Sequence, residues 1–365
     1  MWSYIQYREI GREVQEETSV RSEVDSKTHG ARNGPSLDRR KGPLQGNLSE
    51  SHLEAGMVST NRERSEKEHG SRDDSSDHIM VCKVGENDPL DPLNWPLSSR
   101  CKNIPILTLL IFVQAWAGAS GSMANSAASK EFHVSKVAEN LSTAMYLFGI
   151  GSGALFVGPL SETVGRNPTY LTATFFYLLF VLGSALTPTF GGQVACRFFV
   201  GLFASATLAI NGSSVRDQFR PVKRSFVFPI IAWANVAAPV IAPVAGGFIV
   251  SNTKLGWRWT EWVTLIISGF AFLIALLFLP ETYLPILLDW KAEHLRRVTG
   301  DSRYVSKHAE SGSFFQRTKK VIALPASFFG TEPIIAVLGG YLVLLYIRDV
   351  TSSHPSPFIK LSMPL

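Results

Sequence analysis

The chain has 365 residues, a formal net charge of +5 and 45% hydrophobic residues, but its charge is unevenly placed. Residues 1–88 hold 13 Lys+Arg and 17 Asp+Glu, a net of −4, whereas residues 89–365 hold 22 and 13, a net of +9. The second segment contains uncharged runs longer than a soluble core helix needs, which excludes a soluble enzyme, a nucleic-acid binder and a disulfide-stapled secreted domain. Cys82, Cys101 and Cys196 are too few and too scattered for a disulfide framework or a zinc cluster.

Residues 1–88 are rich in Ser, Glu, Arg and Gly with few aromatics, a composition that buries too little apolar surface to order itself. A disordered tail is expected there. Its first residues lack the basic and apolar regions of a secretory signal, so the first spanning helix is expected to direct insertion. Beyond it, the uncharged gaps are Lys102 to Lys130 with 27 residues, Glu139 to Glu162 with 22, Arg166 to Arg197 with 30, Arg197 to Arg216 with 18, Arg224 to Lys254 with 29 and Glu261 to Glu281 with 19. A hydrocarbon core of about 30 Å takes roughly 17 to 25 apolar residues as helix. Spans are therefore predicted at 104–124, 140–160, 169–189, 194–214, 227–250 and 262–280. A seventh gap, Glu332 to Arg348, encloses only 15 residues.

Basic residues of the short loops set the orientation. With the tail in the cytoplasm, 15 of them are internal and four, Lys130, Lys136, Lys254 and Arg258, are external. The predicted organisation is a cytoplasmic tail over 1–88, a six-span bundle over 89–280, a cytoplasmic central loop over 281–326, a partial seventh span over 327–347 and an unrelated tail over 348–365. The fold class is an all-α polytopic membrane protein.

Several residues stand out within this frame. The loop after the second span reads Gly158-Pro159-Leu160-Ser161-Glu162-Thr163-Val164-Gly165-Arg166. Its glycines permit a tight turn, and an acid and an arginine four apart can pair or exchange partners at the helix ends. Such a network can hold one state of a rocking bundle closed. Arg197 is the one basic residue set in an apolar stretch; an arginine at membrane depth is costly and a functional candidate, unless it snorkels to the outer interface. The fifth span carries Ala237-Ala238-Pro239-Val240-Ile241-Ala242-Pro243-Val244-Ala245-Gly246-Gly247, whose prolines bend a helix and whose small residues admit a close neighbour. Gln114, Asn211 and Asn235 are polar within spans, and either contact substrate or bond neighbouring helices. Asn140-Leu141-Ser142 is a glycosylation sequon on the predicted outer side, close to the bilayer. No carboxylate is expected at membrane depth in the six spans, and no metal or cofactor site is expected.

These segments resemble the major facilitator superfamily. Gly158 to Arg166 is similar to that family's signature after the second span, with Asn167 in place of a second basic residue. The stretch Arg197-Phe198-Phe199-Val200-Gly201 resembles the fourth-span motif, whose arginine the resemblance implicates in proton transfer. Span five resembles the antiporter motif, Ala238 and Ala242 replacing two glycines while Pro243, Gly246 and Gly247 match. Asp88 to Pro96, Gly256 to Trp262, Pro280 to Pro285 and Lys291 to Arg296 resemble fungal twelve-span drug:proton antiporters. The resemblance covers about residues 86–347 and implies a plasma-membrane exporter of drugs, polyamines or secondary metabolites in exchange for protons. In it the bilayer, a small-molecule substrate and protons are the partners, with the oligomeric state open. Such proteins are built of two six-helix halves, so the reading is a first bundle truncated in the seventh span. The alternative is a transport-inactive half or pseudogene product.

Overall fold

The computed structural model describes residues 1–32, 79–252, 256–306, 333–334, 337–341 and 343–344. The chain forms two compact units, residues 1–312 and 313–365. In the second, the described residues, which lie in the expected seventh span, are helical.

Among its described residues the first unit contains six helices long and apolar enough to cross a membrane. They are α2 (Leu97–Glu131), α3 (Lys136–Val164), α4 (Arg166–Leu186), α5 (Phe190–Gln218), α6 (Pro221–Ser251) and α7 (Trp259–Phe278). They follow α1 (Trp2–Arg32), β1 (Ile79–Val81) and a short 3-10 turn (Pro92–Asn94), and precede α8 (Leu284–Thr299) and β2 (Tyr304–Ser306). The shortest of the six, α7, has 20 residues, a rise of about 30 Å that matches a hydrocarbon core.

Local chemistry sets the helix starts. Ser135 Oγ accepts from the Ala138 N–H at 3.1 Å and opens α3, and Thr189 Oγ1 accepts from the Gly192 N–H at 3.3 Å and opens α5. Pro221 occupies the first turn of α6, where its missing N–H costs nothing. The Ser135 cap lies several residues before the predicted span and α7 begins at Trp259, which puts Glu139 and Glu261 in the first turns of helices instead of in loops.

The outer faces of the bundle are large and apolar, and small and polar residues recur among the buried ones. Along α7, Thr260, Thr264, Ser268, Ala271 and Ala275 are buried, while Ile266, Phe270 and Leu273 face outward. Lipid offers the exposed face what a soluble core would offer, so helix association rests on close packing of small residues. The tightest case joins α3 to α5. A Cβ on Gly201 would collide with the Tyr146 carbonyl, and one on Gly149 with the Phe198 carbonyl. Arg197 lies one turn before Gly201. A buried layer formed by Leu107, Leu110, Tyr170, Ile210, Ile231 and Ala271 ties α2, α4, α5, α6 and α7 together.

Two segments depart from expectation. The first 32 residues are largely the helix α1, not an unstructured tail. Tyr7, Ile10 and Val14 form a stripe at helical spacing; Ile10 and Val14 bury against Leu287, Ala292 and Leu295 of α8, and the Tyr7 ring meets Trp290 edge-on at 5.6 Å. The first part of the expected central loop is likewise ordered: α8 is amphipathic and stops at Gly300 in the left-handed region, after which β2 pairs in parallel with β1. Residues 33–78 and 307–326 lie outside the described residues.

Candidate functional site

The bundle has two faces, defined by the helix ends that meet there. The tail face holds the α3–α4 and α5–α6 junctions and the strand of chain leaving α7 for α8. The far face holds the α2–α3, α4–α5 and α6–α7 junctions. Each carries a network of charged side chains.

On the tail face, Arg166 is the first residue of α4 and only 2% exposed. Its Nε donates to Asp217 Oδ2 at 3.1 Å and its Nη1 to Ser161 Oγ at 2.5 Å, while the guanidinium lies 4.8 Å over the Tyr283 ring. Ser161 in turn donates to the Gly158 carbonyl at 2.7 Å. The partner expected from sequence, Glu162, is 4.0 Å from Nη2 and half exposed, so Asp217 is the closer ion pair. Glu281 is fully buried and caps α4 from outside: its carboxyl accepts the N–H groups of Arg166 at 3.0 Å and Asn167 at 3.1 Å, and those of Thr282 and Tyr283 at 2.9 Å each. Burial pushes this carboxyl above its ordinary range, and the four N–H donors pull it back. Gly165 makes the arrangement possible, with φ +110° and a would-be Cβ only 2.6 Å from Glu281 Oε2. Asn167, where a second basic residue was expected, donates from Nδ2 to the Leu279 carbonyl at 2.6 Å. Gln6 of α1 bonds both backbone groups of Glu281, tying α1 to the same point.

Toward the far face, Arg197 is 6% exposed and does not snorkel. It lies about 10 Å along α5 from the helix start, donates from Nη1 to the Ala117 carbonyl at 3.1 Å and pairs through Nη2 with Glu261 of α7. Glu261 is 4% and Glu139 of α3 0% exposed. Both acids thus lie in the first turns of their helices yet are buried within the bundle. Both acids delimited the uncharged runs and so were assigned to the interface, whereas α3 and α7 begin before them and turn them inward. Nearer the surface, Glu131 accepts from Trp257 Nε1 at 2.5 Å and from Arg258 Nη2 at 2.9 Å, and Arg258 also donates to the carbonyls of Ala185 and Thr187. Burial acts to raise the Glu131 carboxyl, but its bonds to Arg258 and Trp257 outweigh it and hold the group below the ordinary range.

Ala238, Ala242 and Gly246 sit one turn apart on the face of α6 that packs on α2: the two alanines are fully buried beside Trp116, and a Cβ on Gly246 would lie 3.4 Å from the Ser120 carbonyl. Pro243 is half-buried, and a Cβ on Gly247 would meet open space. Gln114 Oε1 accepts from Thr207 Oγ1, and Asn211 links Tyr170, at 2.8 Å, to the Leu107 carbonyl. Asn235 is half-buried, and Asn140 is exposed, accepting from Asn125 at 3.1 Å. The structure thus gathers Gly158, Glu162, Gly165 and Arg166 into one network and Arg197 into another. Sequence reasoning missed Ser161, Asp217, Glu281 and Tyr283 in the first, and Glu139, Gln193 and Glu261 in the second. An acid at the edge of a long uncharged run was the available signal. Among the described residues no group of three or more His, Cys, Asp or Glu could hold a metal ion.

A family model described as Major Facilitator Superfamily matches residues 106–357. The MFS-type transporter kojT of Aspergillus flavus is 38% identical over 264 residues, 72% of this chain and 47% of that protein. The citrinin biosynthesis cluster MFS transporter mrr1 of Monascus ruber is 34% identical, over 76% of this chain and 56% of that protein. The multidrug transporter TPO3 of Candida glabrata is 29% identical, over 81% and 48%. The chain spans about half the length of the curated relatives it matches. Among solved structures, the proton:xylose symporter XylE is similar with a TM-score of 0.48 and 15% identity, over 67% of this chain and 57% of that one.

Proposed function

The chain belongs to the major facilitator superfamily and is a multi-pass membrane protein; from that premise we propose that it is part of a membrane transporter, carrying the first bundle of a proton-coupled exporter of small organic molecules. The observation that carries this reading is the buried pair of Arg197 with Glu261. Two charges taken out of water lose several kcal/mol of hydration each, and ionisable groups within membrane bundles mark pathways for ions and protons. Relatives named as multidrug transporters and as a biosynthesis-cluster transporter support a substrate class of drugs and secondary metabolites.

In this mechanism the tail face is cytoplasmic, on the 15-to-four distribution of basic residues, and the membrane is the plasma membrane. Arg166 acts as the gate. Its Nη2 has no hydrogen bond and faces Glu162, so a small shift trades Asp217 for Glu162 and loosens the junction of α3, α4 and α5. Arg197 couples protonation to that movement. The stripe of Ala238, Ala242 and Gly246 lets α6 move against α2 at close range and sets the bias toward exchange. The test is efflux of rhodamine 6G from yeast cells expressing the natural gene product, with and without an uncoupler. Arg197→Ala is expected to abolish the uncoupler-sensitive component at unchanged surface abundance. Retention of that component at wild-type rate refutes the assignment.

A further inference from the structure

We propose that Glu139 is the group that binds and releases the exchanged proton, by competing with Glu261 for Arg197. The coupling half of this inference rests on the reading as a proton-coupled exporter; the proton-binding half stands on the site alone.

Glu139 lies in the first turn of α3, fully buried, and neither of its carboxyl oxygens has a hydrogen bond. The polar groups acting on it both come from α5, Gln193 and Arg197. Each of these is also incompletely bonded: Gln193 Oε1 is buried without a donor and Arg197 Nε without an acceptor. Around them, α7 brings Glu261, α4 the phenol of Tyr177 and α3 that of Tyr146, whereas α2 offers Arg197 a backbone carbonyl, Ala117. On α2 the nearby amide of Asn125 is turned to Asn140.

The charges do not balance with both acids ionised. One arginine against two carboxylates leaves a net negative charge in an interior that solvates it poorly, and one proton restores neutrality. The unbonded atoms say where it goes. Glu261 holds the guanidinium, so Glu139, whose oxygens have no partner, is the acid left to take the proton. When the proton leaves to water, the new carboxylate has Arg197 Nε–H as a donor. Protonation thus leaves the guanidinium to Glu261, and ionisation gives the unpartnered Arg197 Nε–H a second carboxylate to bond. The N-terminal end of α3 favours the anion and opposes the effect of burial. The next residue, Asn140, is exposed, so the route to the far face is short. No heavy-atom bond changes; only the proton and the partner of Arg197 move.

The test is infrared difference spectroscopy of the purified chain in lipid nanodiscs, following protonated-carboxyl absorption as pH is changed. Wild type is expected to show a protonated band at neutral pH that Glu139→Gln, the isosteric neutral variant, removes. Glu261→Gln is expected to remove it too, because the freed Arg197 then ionises Glu139. A band that survives Glu139→Gln, or that Glu261→Gln leaves in place, overturns the proton-binding assignment. In the efflux assay, Glu139→Gln is expected to lose dependence on the proton gradient while still binding substrate. Wild-type efflux without that dependence overturns the exporter reading and the coupling role with it, even where the band behaves as expected.

Discussion

Two glycines of the same nine-residue motif should respond in opposite ways to alanine. Gly165 has φ +110° and ψ 162°, a region that residues with a Cβ enter at about 1 to 3 kcal/mol. Its added methyl would also lie 2.6 Å from Glu281 Oε2, pushing the carboxyl off the Arg166 and Asn167 N–H groups. Each charge-assisted bond contributes about 1.5 to 3 kcal/mol, and partial loss of two brings the expected destabilisation to about 3 to 5 kcal/mol. Gly158 lies in the last turns of α3, and a Cβ there meets nothing within 4 Å. Alanine in place of a helical glycine gains about 0.5 to 1 kcal/mol. Equilibrium unfolding in mixed micelles of rising dodecyl sulfate fraction, followed by circular dichroism, measures both. Equal destabilisation by Gly158→Ala and Gly165→Ala, or a neutral Gly165→Ala, would refute the claim that Glu281 caps α4 across this turn.

Further outcomes follow from the same contacts. Asp217→Ala strands the buried Arg166 and should cost about 2 to 4 kcal/mol, whereas Glu162→Ala, removing a half-exposed partner at 4.0 Å, should cost under about 1 kcal/mol; a double-mutant cycle with Arg166→Met separates the pairs. Val14→Glu would bury a charge against Leu287 and should release α1 from α8, read as lost amide-exchange protection over residues 8–16; unchanged protection contradicts the docking. Glu131 is held below the ordinary carboxylate range, so its bonds to Arg258 and Trp257 contribute stability above that range and lose it as pH falls through the depressed value. Trp257 fluorescence should report that acid transition, and Glu131→Gln should abolish it.

The six spans were legible because charge is expelled from lipid, so uncharged runs mark the helices directly. Helix ends were less so: Ser135 caps α3 before its uncharged run begins, α7 starts at Trp259, and Glu139 and Glu261 passed for interface residues. The partners of Arg166 were hidden for another reason. Asp217 and Glu281 lie 51 and 115 positions away along the chain, and no local pattern announces a pairing that only the fold creates. The stripe of Tyr7, Ile10 and Val14 was obscured by the charged residues around it, since three apolar contacts barely alter composition. The polar residues Gln114 and Asn211 were visible, but their partners Thr207 and Tyr170 were not.

The central claim is that export is tied to inward proton movement through Arg197 and its two acids. Its most direct measurement records both fluxes in the same vesicles, an internal pH dye reporting protons and rhodamine 6G fluorescence reporting substrate. The account predicts that substrate addition moves protons in the opposite direction, and that Glu139→Gln and Arg197→Ala each eliminate this exchange. Substrate flux that continues unchanged with the gradient collapsed, or proton movement indifferent to both substitutions, would contradict it.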